Sequence, residues 1–95
     1  MARYRVVSWR DIPAVVEAQD GAETVRVSLS PRFQDLIDAV AMREGAADSE
    51  AYLEGWGQGP DEERAGTADE VARAVAAEFE ASFPALAARR LSRSP

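Results

Sequence analysis

A chain of 95 residues carrying a net charge of −6 is long enough for one domain and too short for two independent cores. It has no cysteine or histidine, and because all 11 basic residues are arginine it has no lysine. Disulfides, thiolate and imidazole metal sites, Ser-His-Asp and Cys-His catalysis, lysine Schiff bases and the phosphate-loop lysine are all excluded.

Residues 3–10 alternate Tyr4, Val6 and Ser8 with Arg5, Val7 and Trp9, the period of a strand. An aromatic falls on each face, which places one of Tyr4 and Trp9 outside the main core. Asp11-Ile12-Pro13 interrupts the run, since proline donates no ladder hydrogen bond and keeps its predecessor extended. A second strand follows over 14–19, then the turn signal Asp20-Gly21. A third strand carries Val25, Val27 and Leu29. Tight connections cannot join parallel neighbours, so these three strands predict an antiparallel meander.

Ser30-Pro31 predicts a helix start. Phe33, Leu36, Ile37, Val40 and Ala41 make one apolar stripe, and Gly45 suits the helix end. Asp48 or Ser49 can cap a short helix bearing Tyr52, Leu53 and Trp56 on one side. Residues 57–66 are polar and breaker-rich and predict a mobile loop. Thr67-Ala68-Asp69-Glu70 is a capping box, opening a helix with Val71, Val75, Phe79 and Phe83 at intervals of four. Pro84 is expected to end or kink it near Ser82, with a second helical piece over 85–91 and a frayed tail over 92–95.

The expected fold is therefore a single α+β domain spanning 1–95, a three-stranded antiparallel meander with two or three helices packed on one face. Its core is expected to comprise Val6 or Val7, Val16, Val25, Val27, Leu29, Phe33, Leu36, Ile37, Val40, Leu53, Val71, Val75 and Phe79. A chain this short has a thin stability margin, which a homodimer would supplement. No apolar run spans a bilayer and the N-terminus begins as a strand, so neither a membrane segment nor a signal peptide is expected and the cytoplasm is the default location.

Charge is unevenly placed: residues 1–30 hold four arginines against four acids, whereas residues 31–80 hold thirteen acids against four arginines. Such acidic helices argue against binding nucleic acid or an anionic membrane non-specifically. The acids sit at helix-surface spacing without the apolar neighbours that raise a carboxyl pKa, and Asp61-Glu62-Glu63 lacks calcium-loop spacing. A small carboxylate-based enzyme is thus the lesser alternative, and no metal or cofactor is expected. Gly55-Trp56-Gly57-Gln58-Gly59 has the look of a phosphate loop, but the acidic run after it would repel phosphate. Trp9-Arg10-Asp11-Ile12-Pro13 sets an indole, a guanidinium and a carboxylate beside a rigid turn. Those residue types suit a recognition patch as well as a packed turn.

Two resemblances extend this reading. The segment from Arg3 to Ala14, with Arg32-Phe33-Gln34, Ile37-Asp38, Ala41-Met42-Arg43 and Tyr52-Leu53-Glu54-Gly55-Trp56, resembles a family of small bacterial proteins named for a "virulence factor" domain. That resemblance implies no agreed activity, and it suggests an accessory subunit of a folate- or corrinoid-linked one-carbon enzyme system. Residues 25–53 also resemble the ribbon-helix-helix pattern, which implies a dimeric DNA-binding protein reading bases with Arg26 and Ser28. Without imidazole, amine or thiol chemistry, a non-catalytic binding or adaptor module for a protein partner is the primary expectation. Its contacts are expected at Trp9, Arg10, Asp11 and Trp56.

Overall fold

The computed structural model describes residues 1–46 and 50–91. Two successive hairpins open the chain: β1 (Ala2–Trp9) pairs with β2 (Ile12–Asp20), which pairs with β3 (Glu23–Ser28), all antiparallel. Two short strands, β4 (Trp56–Gln58) and β5 (Glu62–Arg64), add along the other side of β1 and complete a five-stranded antiparallel sheet. Three helices make the fold α+β: α1 (Pro31–Arg43), α2 (Glu50–Glu54) and α3 (Ala68–Leu91).

The sheet is therefore wider than a three-stranded meander, and the expected loop over 57–66 contributes to both added strands. Each of these strands is three residues long and almost wholly exposed. Backbone pairing along β1 holds them, so hydrophobic alternation carries no trace of them.

Side chains alternate across the sheet. Tyr4, Val6, Val16, Ala18, Val25 and Val27 face one side, where α3 packs over β1, β2 and β3. Arg3, Arg5, Val7, Val15, Glu17, Arg26 and Ser28 share the other. Trp9 belongs by alternation to this second side, and α2 covers it there: the Trp9 and Tyr52 ring centroids are 5.8 Å apart. Both strand aromatics are thus used, Tyr4 packing beneath α3 and Trp9 beneath α2. Trp9 and Ile12 are both 0% exposed, whereas Leu53, expected in the core, is 70% exposed. A helix of five residues presents one narrow stripe, and Tyr52 takes the inward place.

The α1 stripe is buried as its spacing predicts. Its C-terminus closes through Gly45 at φ 72°, with Gly45 N–H donating to Met42 O and Ala46 N–H to Ala41 O, the paired bonds of a Schellman end. The start of α1 differs from expectation, because Ser30 makes no side-chain cap of its own helix. Its amide and hydroxyl instead donate to the Glu80 carboxylate of α3, at 2.7 and 2.8 Å. The capping box of α3 forms as read, Thr67 N–H donating to Glu70 Oε1 and Glu70 N–H to Thr67 Oγ1. Helix α3 continues through Pro84 to Leu91 without the expected break. The Asp48 and Ser49 cap and the 92–95 tail lie outside the described residues.

Candidate functional site at the β1–β2 turn

Arg10 and Asp11 are the two residues between the facing pair Trp9 and Ile12. A loop this tight needs left-handed backbone at its first position, which glycine usually supplies. Here Arg10 occupies it at φ 54°. That conformation costs a residue with a Cβ about 1 kcal/mol or more, so what the side chain does there has to offset it. The guanidinium carbon lies 4.5 Å from the Trp9 ring centroid, and the guanidinium also pairs with Glu44 at the end of α1. Arg90 of α3 approaches from the other side, 3.5 Å from Asp11 and 3.6 Å from Glu44. Two arginines and two carboxylates thereby tie the turn to the C-terminal ends of both long helices.

The second tryptophan segment docks onto the first. Trp56 faces Trp9 across the β1–β4 ladder. The Arg10 amide donates to Gly55 O at 2.7 Å, and the Trp9 indole N–H donates to Tyr52 O, also at 2.7 Å. Tyr52 bridges the two indoles, its ring centroid 6.2 Å from that of Trp56. A Cβ built on Gly55 would lie 2.5 Å from Trp9 Nε1, so only glycine admits the indole here.

The structure thus brings all four expected residues to one end of the sheet, in different roles. Trp9 is core and offers a partner no surface. Arg10 and Asp11 are exposed, and Trp56 is half-buried. Tyr52, Glu44 and Arg90 complete the cluster; Tyr52 was read only as part of the short helix and its motif, and none of the three was expected at the site. Gly55 between Glu54 and Trp56 was the one local signal of close approach. Arg26 and Ser28 are not part of this cluster; they are exposed on the edge strand β3, sharing with it only a groove lined by Trp56.

Comparing two substitutions isolates the backbone cost of the turn. Arg10→Gly and Arg10→Ala delete the same guanidinium contacts, but only alanine retains the left-handed penalty. Arg10→Gly is expected to be more stable than Arg10→Ala by about 1 kcal/mol, read from paired urea denaturation curves. Equal midpoints would show that the turn is not strained.

Two carboxylates, Glu80 and Glu78, are pulled toward the ionised form. Glu80 is lowered, chiefly by the Ser30 backbone amide, which outweighs the opposing desolvation, and further by the Ser30 hydroxyl and Arg32. Glu78 is lowered by its hydrogen bond with Arg64. A raised pKa, as a general acid needs, is the opposite arrangement. Since the folded values lie below the unfolded ones, this contribution is complete above the ordinary carboxylate range and is lost as pH falls through the lowered values. Glu80→Gln is therefore expected to flatten the acid limb of the stability–pH profile, followed by thermal melts. An unchanged limb would show that the Ser30–Glu80 tie is not made in solution. Among the described residues no polar or charged side chain is fully buried. The same residues hold no group of three or more histidines, cysteines, aspartates or glutamates placed to hold a metal. No helix among them is long and apolar enough to cross a membrane.

The fold is that of a small α+β domain in which Trp9, Tyr52 and Trp56 pack together. The chain belongs to the virulence factor family, whose model matches residues 7–91, a span that includes Trp9, Arg10, Gly55, Trp56 and all of α3. No curated protein and no solved structure matches it.

Proposed function

We propose that the chain is a non-catalytic binding or adaptor module that docks a protein partner at the end of the sheet formed by Arg10, Asp11 and Trp56. The family resemblance makes an accessory role beside a one-carbon (folate- or corrinoid-linked) enzyme, in the bacterial cytoplasm, the setting to test first. The observation that carries the reading is Arg10 itself. An arginine held at a position suited to glycine, stacked on a buried indole and left partly exposed, is strained backbone retained for its side chain. Arginine and tryptophan are also the types that concentrate binding energy at interfaces. The absence of histidine, cysteine and lysine supports binding over catalysis.

Affinity capture from the native cell with the parent chain, Arg10→Ala, Asp11→Ala and Trp56→Ala tests this. Trp9→Ala is unsuitable, because emptying a fully buried indole site typically costs about 3–5 kcal/mol and would unfold the bait. A partner held by the parent and lost by the folded variants is the expected result. Retention of every partner by all three variants would overturn the assignment.

A further inference from the structure

Among the described residues, helix α3 packs over one side of the sheet, whereas the other side is covered by α2 at its Trp9 end and is open beyond it. Beyond Trp56, a groove of about 430 Å³ runs between this open side and the start of α1. Its walls are largely apolar, with Val7 and Val15 from the sheet, Phe33 from α1 and Trp56 from β4, while Arg26 and Ser28 stand on the β3 side. The volume is that of a binding site, but the groove is open to solvent. A free small molecule needs most of its surface covered, so a side chain carried on a segment lying across the groove fits better.

The charge beside the groove is specific. Arg5, Glu17 and Arg26 are directly opposite one another on three adjacent strands. Glu17 Oε1 accepts a hydrogen bond from Arg5 Nε and its Oε2 forms an ion pair with Arg26 Nη1, both at 3.0 Å. Two cations on one carboxylate leave one positive charge unneutralised, in a chain whose net charge is −6. Glu17 is 14% exposed and Arg26 is 61% exposed, so the surplus faces solvent at Arg26. Among the described residues only its Nη1 has a carboxylate partner, leaving its other N–H donors for an incoming anion. One surplus charge suits one carboxylate. A nucleic-acid backbone calls for several phosphate contacts.

We propose that this groove receives an extended segment of the protein partner in which a large apolar residue stands beside an aspartate or glutamate, the apolar side chain entering between the half-buried Val7, Val15 and Trp56 and the carboxylate pairing with Arg26. This rests on the binding-module reading, and Trp56 joins the two surfaces.

A random peptide library displayed on phage, selected on the immobilised full chain and counter-selected on Val15→Arg, tests it. Enriched peptides are expected to pair an aromatic or branched aliphatic residue with an adjacent acid. Arg26→Gln is expected to weaken them about tenfold, the loss of one charge-assisted hydrogen bond, and to leave their Asp→Asn counterparts unaffected. Thermal melts confirm that both variants fold. No enrichment over the counter-selection, or enriched peptides lacking acids, would overturn the proposal. So would salt-sensitive binding of a DNA duplex that Arg26→Gln abolishes, which would favour the ribbon-type reading instead. A native partner that still binds Val15→Arg and Arg26→Gln but is lost by Arg10→Ala would sink the groove and leave the module reading standing.

Discussion

A methyl group at residue 55 is expected to destabilise the fold by about 3 kcal/mol, the upper part of the range for overpacked sites. The added Cβ of Gly55→Ala would meet Trp9 Nε1 at 2.5 Å and Cε2 at 2.8 Å, and neither partner has room to retreat. The indole is 0% exposed and pinned by its hydrogen bond to Tyr52 O, so swinging it away orphans a buried N–H as well as opening a void. The residue 55 backbone is fixed on both sides, its carbonyl by the Arg10 amide and its N–H by the end of α2. Small domains hold only about 5–15 kcal/mol in total, so the urea midpoint is expected to fall by a large fraction with an unchanged slope. Trp9→Phe, which trims the indole edge that clashes, is expected to recover part of that loss in the Gly55→Ala background. Strict additivity of the two changes would show that the collision is not the cause. The consequence reaches the candidate site, because the Gly55–Trp9 approach holds Arg10 and Trp56 together.

What was legible in the sequence follows from where the signal resides. Apart from the cap at Ser30, the run from Val25 to Gly45 reads correctly because each part is local: alternation for β3, spacings of three and four residues for α1, glycine for its end. The capping box of α3 is equally local, its two bonds spanning three residues. The misreadings all depend on partners far along the chain. Ser30 follows the pattern of an N-cap, but fifty residues later Glu80 offers a charged acceptor for both its amide and its hydroxyl. Strands β4 and β5 have no apolar period, since β1 supplies their hydrogen bonds. The Leu53 error arose because spacing alone cannot say which side of a one-turn helix meets the sheet. At the candidate site, the residue types in Trp9-Arg10-Asp11 were legible. That Trp9 would be buried was not, since Tyr52 and Gly55 close over it from the other motif, and Arg10 is left-handed because Trp9 pairs with Ile12 across a two-residue turn, a register the residue types do not show.

Helix α3 offers the other large effect, and it too hinges on a distant partner. Proline in a helix interior removes the hydrogen bond to the carbonyl four residues back and pushes against it, a cost of about 3 kcal/mol. For Pro84 that carbonyl belongs to Glu80, and Arg32 of α1 donates to it through Nη2 at 2.7 Å. The same guanidinium pairs with the Glu80 carboxylate and lies over the Phe83 ring, 4.4 Å from its centroid. The lost rung is thus replaced by a charge-assisted bond from the neighbouring helix, which explains why α3 runs through the proline. Pro84→Ala is therefore expected to stabilise by about 2 kcal/mol, less than the full proline cost because the carbonyl already has a donor. Arg32→Met keeps much of the packing and removes that donor. It is expected to be more damaging in the parent than beside Pro84→Ala, where the new amide takes over the Glu80 carbonyl, by a coupling of about 1 kcal/mol. A double-mutant cycle in urea measures this term, and zero coupling would mean that Arg32 holds α1 to α3 through the Glu80 carboxylate and Phe83 alone.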